Sequence, residues 1–171
     1  MIDESKSVLS NRLTDFFILE KELLKSKYGV RENKSWKIDD VKKQASAFEP
    51  IDIQKISYRP FDNRFLYYND YFVERIRNEV MQHFLKCGNV GLAVKRQCKQ
   101  AFSYVFLTDK IAEGCLFESA YANNSILPLY IYPETNGQQT IEQSEKRTPN
   151  LNKEIVKQIA EKLGLTFTNE K

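Results

Sequence analysis

Apolar residues in the first fifty positions recur at helical spacing. Between positions 10 and 28 they return every three or four residues with Lys and Glu between them, and Gly29 follows as a stop signal. The pattern predicts an amphipathic helix over 10–28, capped near Ser10, with an apolar face wide enough to pack on a substantial partner. A charged connector then leads to a short helical segment over 38–47 that ends before Pro50.

Beyond residue 50 the pattern changes to that of short strands interrupted by two helices. The predicted strands are 53–58, 64–68, 90–94, 102–107, 115–118 and 126–132, and the predicted helices are 74–85 and 151–163. We expect a turn at Asp62-Asn63 and burial of Leu151, Ile155, Ile159 and Leu163 by the last helix. Because the connections are too short for crossovers, the fold class is α+β, with a mainly antiparallel sheet and flanking helices.

Length and composition fit one globular domain. A chain of 171 residues buries about 70% of its unfolded surface. Apolar residues make up 42% and charged residues 29%, and no run approaches the roughly 20 apolar residues of a membrane span. The N-terminus lacks the apolar core of a secretory signal, and three cysteines leave one unpaired in any disulfide scheme. Membrane, secreted and collagen-like classes are excluded, and reduced thiols inside a cell are expected.

Charge is distributed unevenly along the chain. The overall net charge is +3, but residues 1–54 sum to zero, residues 55–110 to +5 and residues 111–171 to −2. A positive middle third suits contact with phosphates. Scattered solvated charge explains the same excess equally well.

Catalytic and metal-binding signatures are weak. His83 is the only histidine, and no nucleophile elbow accompanies it. Cys87, Cys98 and Cys115 lack the paired C-x-x-C spacing of a zinc knuckle. Neither of the glycine-rich motifs that bind phosphates, G-x-G-x-x-G and G-x-x-x-x-G-K-[ST], occurs in the sequence. The Asn-Pro-Pro-Tyr tetrapeptide of amino-methyltransferases is also absent. We expect a non-catalytic chain without a metal or cofactor of its own, and His83 as a surface or packing residue.

Binding groups are better represented. The polar segment 95–100 lies between two apolar strands, and a second polar tip lies at 123–125. Arg can make two hydrogen bonds to guanine, and Gln or Asn can make two to adenine. The candidate base-reading residues are Arg96, Gln97, Gln100, Asn123 and Asn124, and the candidate phosphate-binding residues are Arg75, Arg77, Lys86, Lys95 and Lys99. Solvated turns, or ion pairs along the helix for the two arginines, remain alternatives.

Five ordered segments resemble the C-terminal specificity region of Type ISP restriction-modification enzymes. They are residues 55–64 (Lys-Ile-Ser-Tyr-Arg-Pro-Phe-Asp-Asn-Arg), 67–68, 75–81, 89–92 and 127–133. The resemblance covers about residues 50–135. Its most specific part is the Tyr-Arg-Pro-Phe-Asp box, which we expect to be scaffold, with Arg59 paired to Asp62.

The resemblance implies a place for the chain in a longer polypeptide. In that family one polypeptide carries a nuclease, an ATP-driven translocase, an adenine-N6 methyltransferase that uses S-adenosylmethionine, and a target recognition domain. Residues 1–50 then resemble a helical connector from the methyltransferase domain, and residues 51–171 a target recognition domain truncated at its C-terminus. S-adenosylmethionine, ATP and Mg²⁺ belong to the missing domains.

The implied function is sequence-specific recognition of double-stranded DNA. The implied partners are double-stranded DNA and the methyltransferase domain of the same polypeptide, without a membrane, in the bacterial cytoplasm. One alternative is a coupling module without DNA affinity, motivated by the aromatic run over 58–72 and the apolar face of helix 10–28. A weaker alternative is an independent enzyme that uses His83 and the cysteines. The target sequence does not follow from the residues.

Overall fold

The computed structural model describes residues 1–85, 88–95, 97, 105–117, 123–133 and 147–166. The chain divides into two compact units, Met1–Arg77 and Asn78–Lys171. The two compact units therefore divide at 77/78, and the domain bounds expected from the sequence, 1–50 and 51–171, stay a prediction. The assignment of residues 1–50 as a connector remains a prediction about function.

Unit 1 combines three helices with an antiparallel hairpin. Its elements are β1 (Ile2–Asp3), α1 (Lys6–Ile18), α2 (Lys21–Tyr28), α3 (Ile38–Gln44), a 3₁₀ turn (Pro50–Asp52), β2 (Ile53–Arg59) and β3 (Asp62–Tyr67). Strand β3 pairs antiparallel with both β1 and β2. The hairpin is thereby extended by the N-terminal residues of the chain.

Two helices replace the single helix expected over 10–28. Helix α1 begins after Ser5, whose hydroxyl accepts a hydrogen bond from Val8 N, and it ends at Leu19, whose backbone is extended (ψ 150°). The Lys42 ammonium donates to the carbonyl of Leu19 at 2.5 Å, which satisfies a group that the break releases. Gly29 adopts the left-handed conformation (φ 61°) and ends α2, as the sequence predicts.

The core of unit 1 joins residues from both sides of the expected boundary at 50. One cluster contains Leu9, Leu13, Ile53 and Tyr67, and a second contains Phe16, Leu24, Ile38 and Val41. The Phe16 ring makes an edge-to-face contact with Phe72, with 5.0 Å between the centroids. Helices α1 to α3 therefore complete the same core as β2 and β3, which explains why the two stretches form one unit.

Unit 2 is built around a three-stranded antiparallel arrangement. Its elements are α4 (Asn78–Leu85), β4 (Gly91–Lys95), β5 (Val105–Thr108), β6 (Ile111–Ala112), β7 (Asn124–Pro128), β8 (Tyr130–Ile131), β9 (Thr148–Pro149) and α5 (Lys153–Leu163). Strand β4 lies between β5 and β7, and β8 pairs with β9. The antiparallel pairing and the flanking helices confirm the expected α+β class.

The structure differs from the sequence expectation at residues 114–117 and at the start of helix α4. Residues 114–117 form a turn and not the start of the strand expected over 115–118, because Leu116 N donates to the side chain of Asn124. Helix α4 begins at Asn78 and not at 74, because Arg75 and Arg77 have positive φ angles of 57° and 52° that a right-handed helix cannot contain.

Helix α5 lies where the sequence predicts it, but its apolar side chains are exposed where burial is expected. The Asn152 side-chain oxygen caps it by accepting hydrogen bonds from Glu154 N and Ile155 N, and left-handed Gly164 ends it. However, its apolar side chains are exposed: 55% for Ile155, 53% for Ile159 and 63% for Leu163. The expected burial is wrong, because nothing in the described part of the chain covers this face. Among the described residues, no helix is both long and apolar enough to cross a bilayer.

Candidate functional site

The two polar segments singled out in the sequence meet at one end of the β5–β4–β7 sheet. In the β4–β7 ladder Lys95 lies directly opposite Asn124. Asn123 directly precedes Asn124, Gln97 follows Lys95 by two positions, and both Asn123 and Gln97 are exposed. Residues far apart in the chain thus form one polar edge, which we call the sheet-end site and define as Lys95, Gln97, Asn123 and Asn124.

Four of the candidate residues lie outside the described part of the chain. They are Lys86, Arg96, Lys99 and Gln100. Their assignment to base or phosphate contacts stays a prediction. Arg96 and Gln100 belong to the segment that follows β4, so the sheet-end site marks where that segment begins.

The two asparagines of the sheet-end site differ in their contacts. The Asn124 side-chain oxygen accepts a hydrogen bond from Leu116 N at 2.9 Å, and Asn124 N donates to the Gly114 carbonyl at 3.1 Å. The Asn123 side chain is exposed, and its oxygen lies 3.8 Å from the Cys115 thiol, which is a long contact. Asn124 therefore fixes the 114–117 turn beside the site, whereas Asn123 presents its amide to solvent.

Strand β4 is held in place at its other end by Asn89. The Asn89 amide nitrogen donates to the carbonyls of His83 (3.0 Å) and Tyr130 (2.8 Å), and its oxygen accepts from Tyr130 N (3.2 Å). The side chain is 4% exposed. It satisfies the backbone at the end of α4 and at the start of β8, which fixes the direction in which β4 leaves the helix.

Gly91 allows α4 to approach β4 closely. A Cβ atom at this position would lie 2.7 Å from Phe84 Cζ and 2.9 Å from the backbone oxygen of Leu127. Any larger residue therefore meets both the helix and the neighbouring strand. Asn89 and Gly91 belong to the Asn-Val-Gly-Leu segment of the family resemblance, and the structure gives both a packing role.

His83 is a buried packing residue, which is one of the two roles, surface or packing, expected from the sequence. It is 5% exposed, and its Nδ1 accepts a hydrogen bond from Tyr132 N at 3.2 Å. Burial lowers the pKa of the imidazole below its ordinary value. The ring is therefore held in the neutral form with Nδ1 as an acceptor, which leaves only Nε2 for a proton.

No grouping of at least three His, Cys, Asp or Glu side chains that could hold a metal ion occurs among the described residues. Cys115 is an exposed free thiol. Cys87 and Cys98 lie outside the described residues, so the expectation of a zinc-free chain stays a prediction.

Arg75 and Arg77 lie before α4 and not within it. Both side chains are exposed, and Arg75 is near Glu74, with 3.9 Å between Nε and the carboxylate. Arginine in the left-handed conformation is uncommon, since the Cβ atom crowds the following carbonyl. The segment thus presents two cations from an irregular stretch of unit 1.

The β2–β3 hairpin carries a feature that the sequence expectations missed. Its loop contains only Pro60 and Phe61, because Arg59 pairs with Asp62 across the strands. The turn therefore comes two residues earlier than the expected Asp62-Asn63. Phe61 has φ 64° and is 93% exposed.

A small stack of charged and aromatic side chains lies behind this tip. The guanidinium carbons of Arg59 and Arg64 lie 4.2 and 4.3 Å from the centroid of the Tyr58 ring. The pairing register shifts between Ser57 and Arg59, so Tyr58 occupies a bulge. Arg64 also donates to Asp62 at 3.0 Å. The box expected to be scaffold thus combines a rigid base with an exposed aromatic tip.

Comparison with known proteins gives a family and a fold. The family model described as Type ISP C-terminal specificity domain matches residues 1–171. No curated protein matches the chain significantly.

Two solved structures share the fold. One, titled as a cryoEM structure of a DrdV–DNA complex, has a TM-score of 0.59 and 18% identity over 95% of this chain and 16% of its own. The other is a nuclease-deletion mutant of the Type ISP restriction-modification enzyme LlaGI in complex with a DNA substrate mimic. It has a TM-score of 0.54 and 19% identity, and it covers 86% of this chain and 12% of its own. The chain thus spans less than a fifth of either relative.

Proposed function

Because the chain belongs to the family of Type ISP C-terminal specificity domains, we propose that it recognises a specific sequence in double-stranded DNA. Both structural neighbours are described as complexes with DNA or a DNA mimic, which supports the same role here. A specificity domain fits the expectation that the chain itself is non-catalytic.

The observation that carries the proposal is the pairing of Lys95 with Asn124. It joins two segments rich in amides and cations, which were separate candidates in the sequence, into one edge. An edge of this kind suits the major groove, where Gln and Asn side chains can each make two hydrogen bonds to adenine. We assign base contacts to Gln97 and Asn123, and to Arg96 and Gln100 in the segment beyond β4.

The remaining candidates divide by role. Lys95, Lys86, Lys99, Arg75 and Arg77 are assigned to phosphates, because cations that contact the backbone fix the register of a protein on DNA without reading its sequence. We assign Asn124 a positioning role, because its oxygen already holds Leu116 N.

We further propose that the chain works within a longer polypeptide. The relatives are six to eight times longer than the part that matches, which leaves room for the nuclease, translocase and adenine-N6 methyltransferase of this enzyme class. S-adenosylmethionine, ATP and Mg²⁺ would bind to those domains, in the bacterial cytoplasm, and the methyltransferase domain would be a partner of this chain.

A second candidate function is docking on another protein domain without DNA affinity. The exposed apolar face of α5 favours it, as do the exposed leucines of neighbouring strands, Leu92, Leu107 and Leu127. The apolar face of the N-terminal helices gives this function less support, because Phe16 and Leu24 are fully buried within unit 1.

Paired alanine variants test the proposal. Gln97→Ala and Arg96→Ala should each remove preference at one base position, at a cost of about 1–3 kcal/mol for the correct site. Lys95→Ala should weaken all sequences alike and lower the slope of log affinity against log salt by about 0.9. Lys157→Ala is the matched control, because it removes an exposed lysine from α5.

The measurement is fluorescence anisotropy with labelled duplexes over a salt series. If Arg96→Ala and Gln97→Ala both keep the affinity and the base preference of the wild type while binding persists, segment 95–100 is not the reader. If the chain binds no duplex at low salt, the docking function replaces DNA recognition.

A further inference from the structure

Arg147 lies with its guanidinium over the face of the Tyr130 ring. The guanidinium carbon is 4.0 Å from the ring centroid, a distance at which a cation and an aromatic ring attract each other. The β8–β9 register explains the contact. Pro149 lies opposite Tyr130, so Arg147, two residues before Pro149, is diagonal to Tyr130 and on the same face of the pair. The candidates for DNA contact drawn from the sequence did not include this arginine.

The backbone that carries this stack is fixed on both strands. Buried Asn89 accepts a hydrogen bond from Tyr130 N at 3.2 Å and donates to the Tyr130 carbonyl at 2.8 Å. Asn150 directly follows β9, and its backbone N donates to the Leu129 carbonyl at 2.7 Å. The orientation of Arg147 on the ring is therefore established by the fold and does not require a ligand.

The Arg147 guanidinium keeps its hydrogen-bond donors for another group. Within the part of the chain that the structure describes, Arg147 forms no ion pair, whereas Arg12, Arg64 and Arg75 each lie near a carboxylate. Stacking on tyrosine uses the face of the guanidinium, and its N–H groups point outward in the plane. The side chain is also half-buried, so part of its hydration and rotamer freedom is already lost. Such an arginine suits an anion with several oxygen acceptors.

We propose that Arg147, held on Tyr130, binds a phosphate of the recognised DNA and so fixes the register of the sheet-end site on the duplex. The inference rests on the proposed function and adds a contact remote from the base-reading side chains. Tyr130 follows Asn124 by six positions, and six residues span at most about 20 Å. With the reach of an arginine side chain, the phosphate lies within about eight base-pair steps of the bases that are read.

The test combines variants of the stack with duplexes in which single phosphates are uncharged. The duplex is selected from a random library by the wild-type chain, and each phosphate in turn is replaced by a methylphosphonate. Arg147→Ala removes the donors, and Arg147→Lys keeps the charge without the stacked plane. Tyr130→Leu removes the platform, and Tyr130→Phe keeps it. Arg31→Ala is the matched control, because Arg31 is an exposed arginine of unit 1.

We expect one methylphosphonate position, within about eight steps of the bases affected by Gln97→Ala, to weaken wild-type binding by about tenfold. Arg147→Ala should weaken binding to the unmodified duplex by a similar factor and should lose its sensitivity at that phosphate alone. The slope of log affinity against log salt should fall by about 0.9, and base preference should stay. Arg147→Lys and Tyr130→Leu should each lose part of the affinity. Tyr130→Phe and Arg31→Ala should behave as the wild type.

The outcomes separate this inference from the proposed function. Sequence-specific binding in which Arg147→Ala keeps the wild-type sensitivity at every phosphate overturns the inference and leaves recognition intact. Absence of any DNA binding by the wild type overturns both. If Arg147→Ala lowers the melting temperature and weakens binding without changing the sensitivity at any one phosphate, the stack only supports the β8–β9 pair and the inference is wrong. It is also wrong if Arg147→Ala weakens association with another protein domain and leaves DNA binding unchanged.

Discussion

Gly91→Ala tests the packing that positions the sheet-end site. An added Cβ atom would lie 2.7 Å from Phe84 Cζ and 2.9 Å from the Leu127 backbone oxygen. The ring can shift, but the oxygen belongs to the strand that pairs with β4 and cannot move without disturbing the ladder. Overpacking of this kind costs about 1–3 kcal/mol, and the loss of unfolded-state freedom returns about 0.4–1 kcal/mol. We expect a net loss of about 1–2 kcal/mol.

Gly88→Ala is the control for this prediction. Nothing lies within 4 Å of a Cβ atom built there, and its φ is not in the left-handed range. The only remaining effect is the lower conformational entropy of the unfolded chain, so this variant should be as stable as the wild type or slightly more stable. Urea denaturation followed by circular dichroism at several concentrations measures both variants.

The double variant Gly91→Ala/Phe84→Leu sharpens the test. Shortening Phe84 relieves the contact with the ring and leaves the contact with the backbone oxygen, so the two substitutions should couple favourably in a double-mutant cycle and recover part of the loss. If Gly91→Ala is as stable as Gly88→Ala, α4 does not approach β4 as closely as described, and the reasoning is refuted.

Two further predictions concern the same unit. Burial lowers the pKa of His83 from 6.5, so the unfolded chain binds more protons, and the contribution of His83 to stability is fully present above about pH 6.5 and is lost as the pH falls below it. His83→Asn keeps an acceptor for Tyr132 N and should flatten the pH dependence of the melting temperature. A variant whose melting temperature has the same pH profile as the wild type would contradict this prediction. Asn124→Ala should cost about 1 kcal/mol by freeing Leu116 N, whereas exposed Asn123→Ala should stay within about 0.5 kcal/mol; equal losses in urea denaturation would show that Asn124 has no special positioning role.

The sequence predicts local features of this fold better than long-range ones. The apolar run at 90–94 matches β4 (Gly91–Lys95), and the stop at Gly29 matches the end of α2. Both depend on residues next to one another. By contrast, the break at Leu19 has no glycine or proline to mark it, and it is stabilised by Lys42 from a different helix.

Two errors have identifiable physical causes. Residue type predicts the turn at Asp62-Asn63, but Pro60 fixes the φ of the first loop position, and the turn lies at 60–61. The periodicity of α5 correctly separates its apolar from its polar face, but periodicity contains no information about what covers a face.

The candidate site was predictable in its parts and not in its assembly. Segments 95–100 and 123–125 stand out in the sequence because their amides and cations interrupt apolar strands. That Lys95 faces Asn124 depends on the β4–β7 register, and no single turn sets this register because β5 and β6 lie between the two strands in the chain. The exposure of Phe61 was missed because the aromatic run around it indicates packing, which is true of Tyr67 and false of Phe61.

The central claim is that this chain recognises a DNA sequence through the sheet-end site. Selection of bound duplexes from a random library, followed by sequencing, tests it most directly when wild type and a Gln97→Ala/Asn123→Ala variant are compared at low ionic strength. We predict that the wild type enriches one motif and that the variant loses preference at particular positions of that motif while still binding DNA. Enrichment of no motif by the wild type, or of the same motif with undiminished preference by the variant, would contradict the claim.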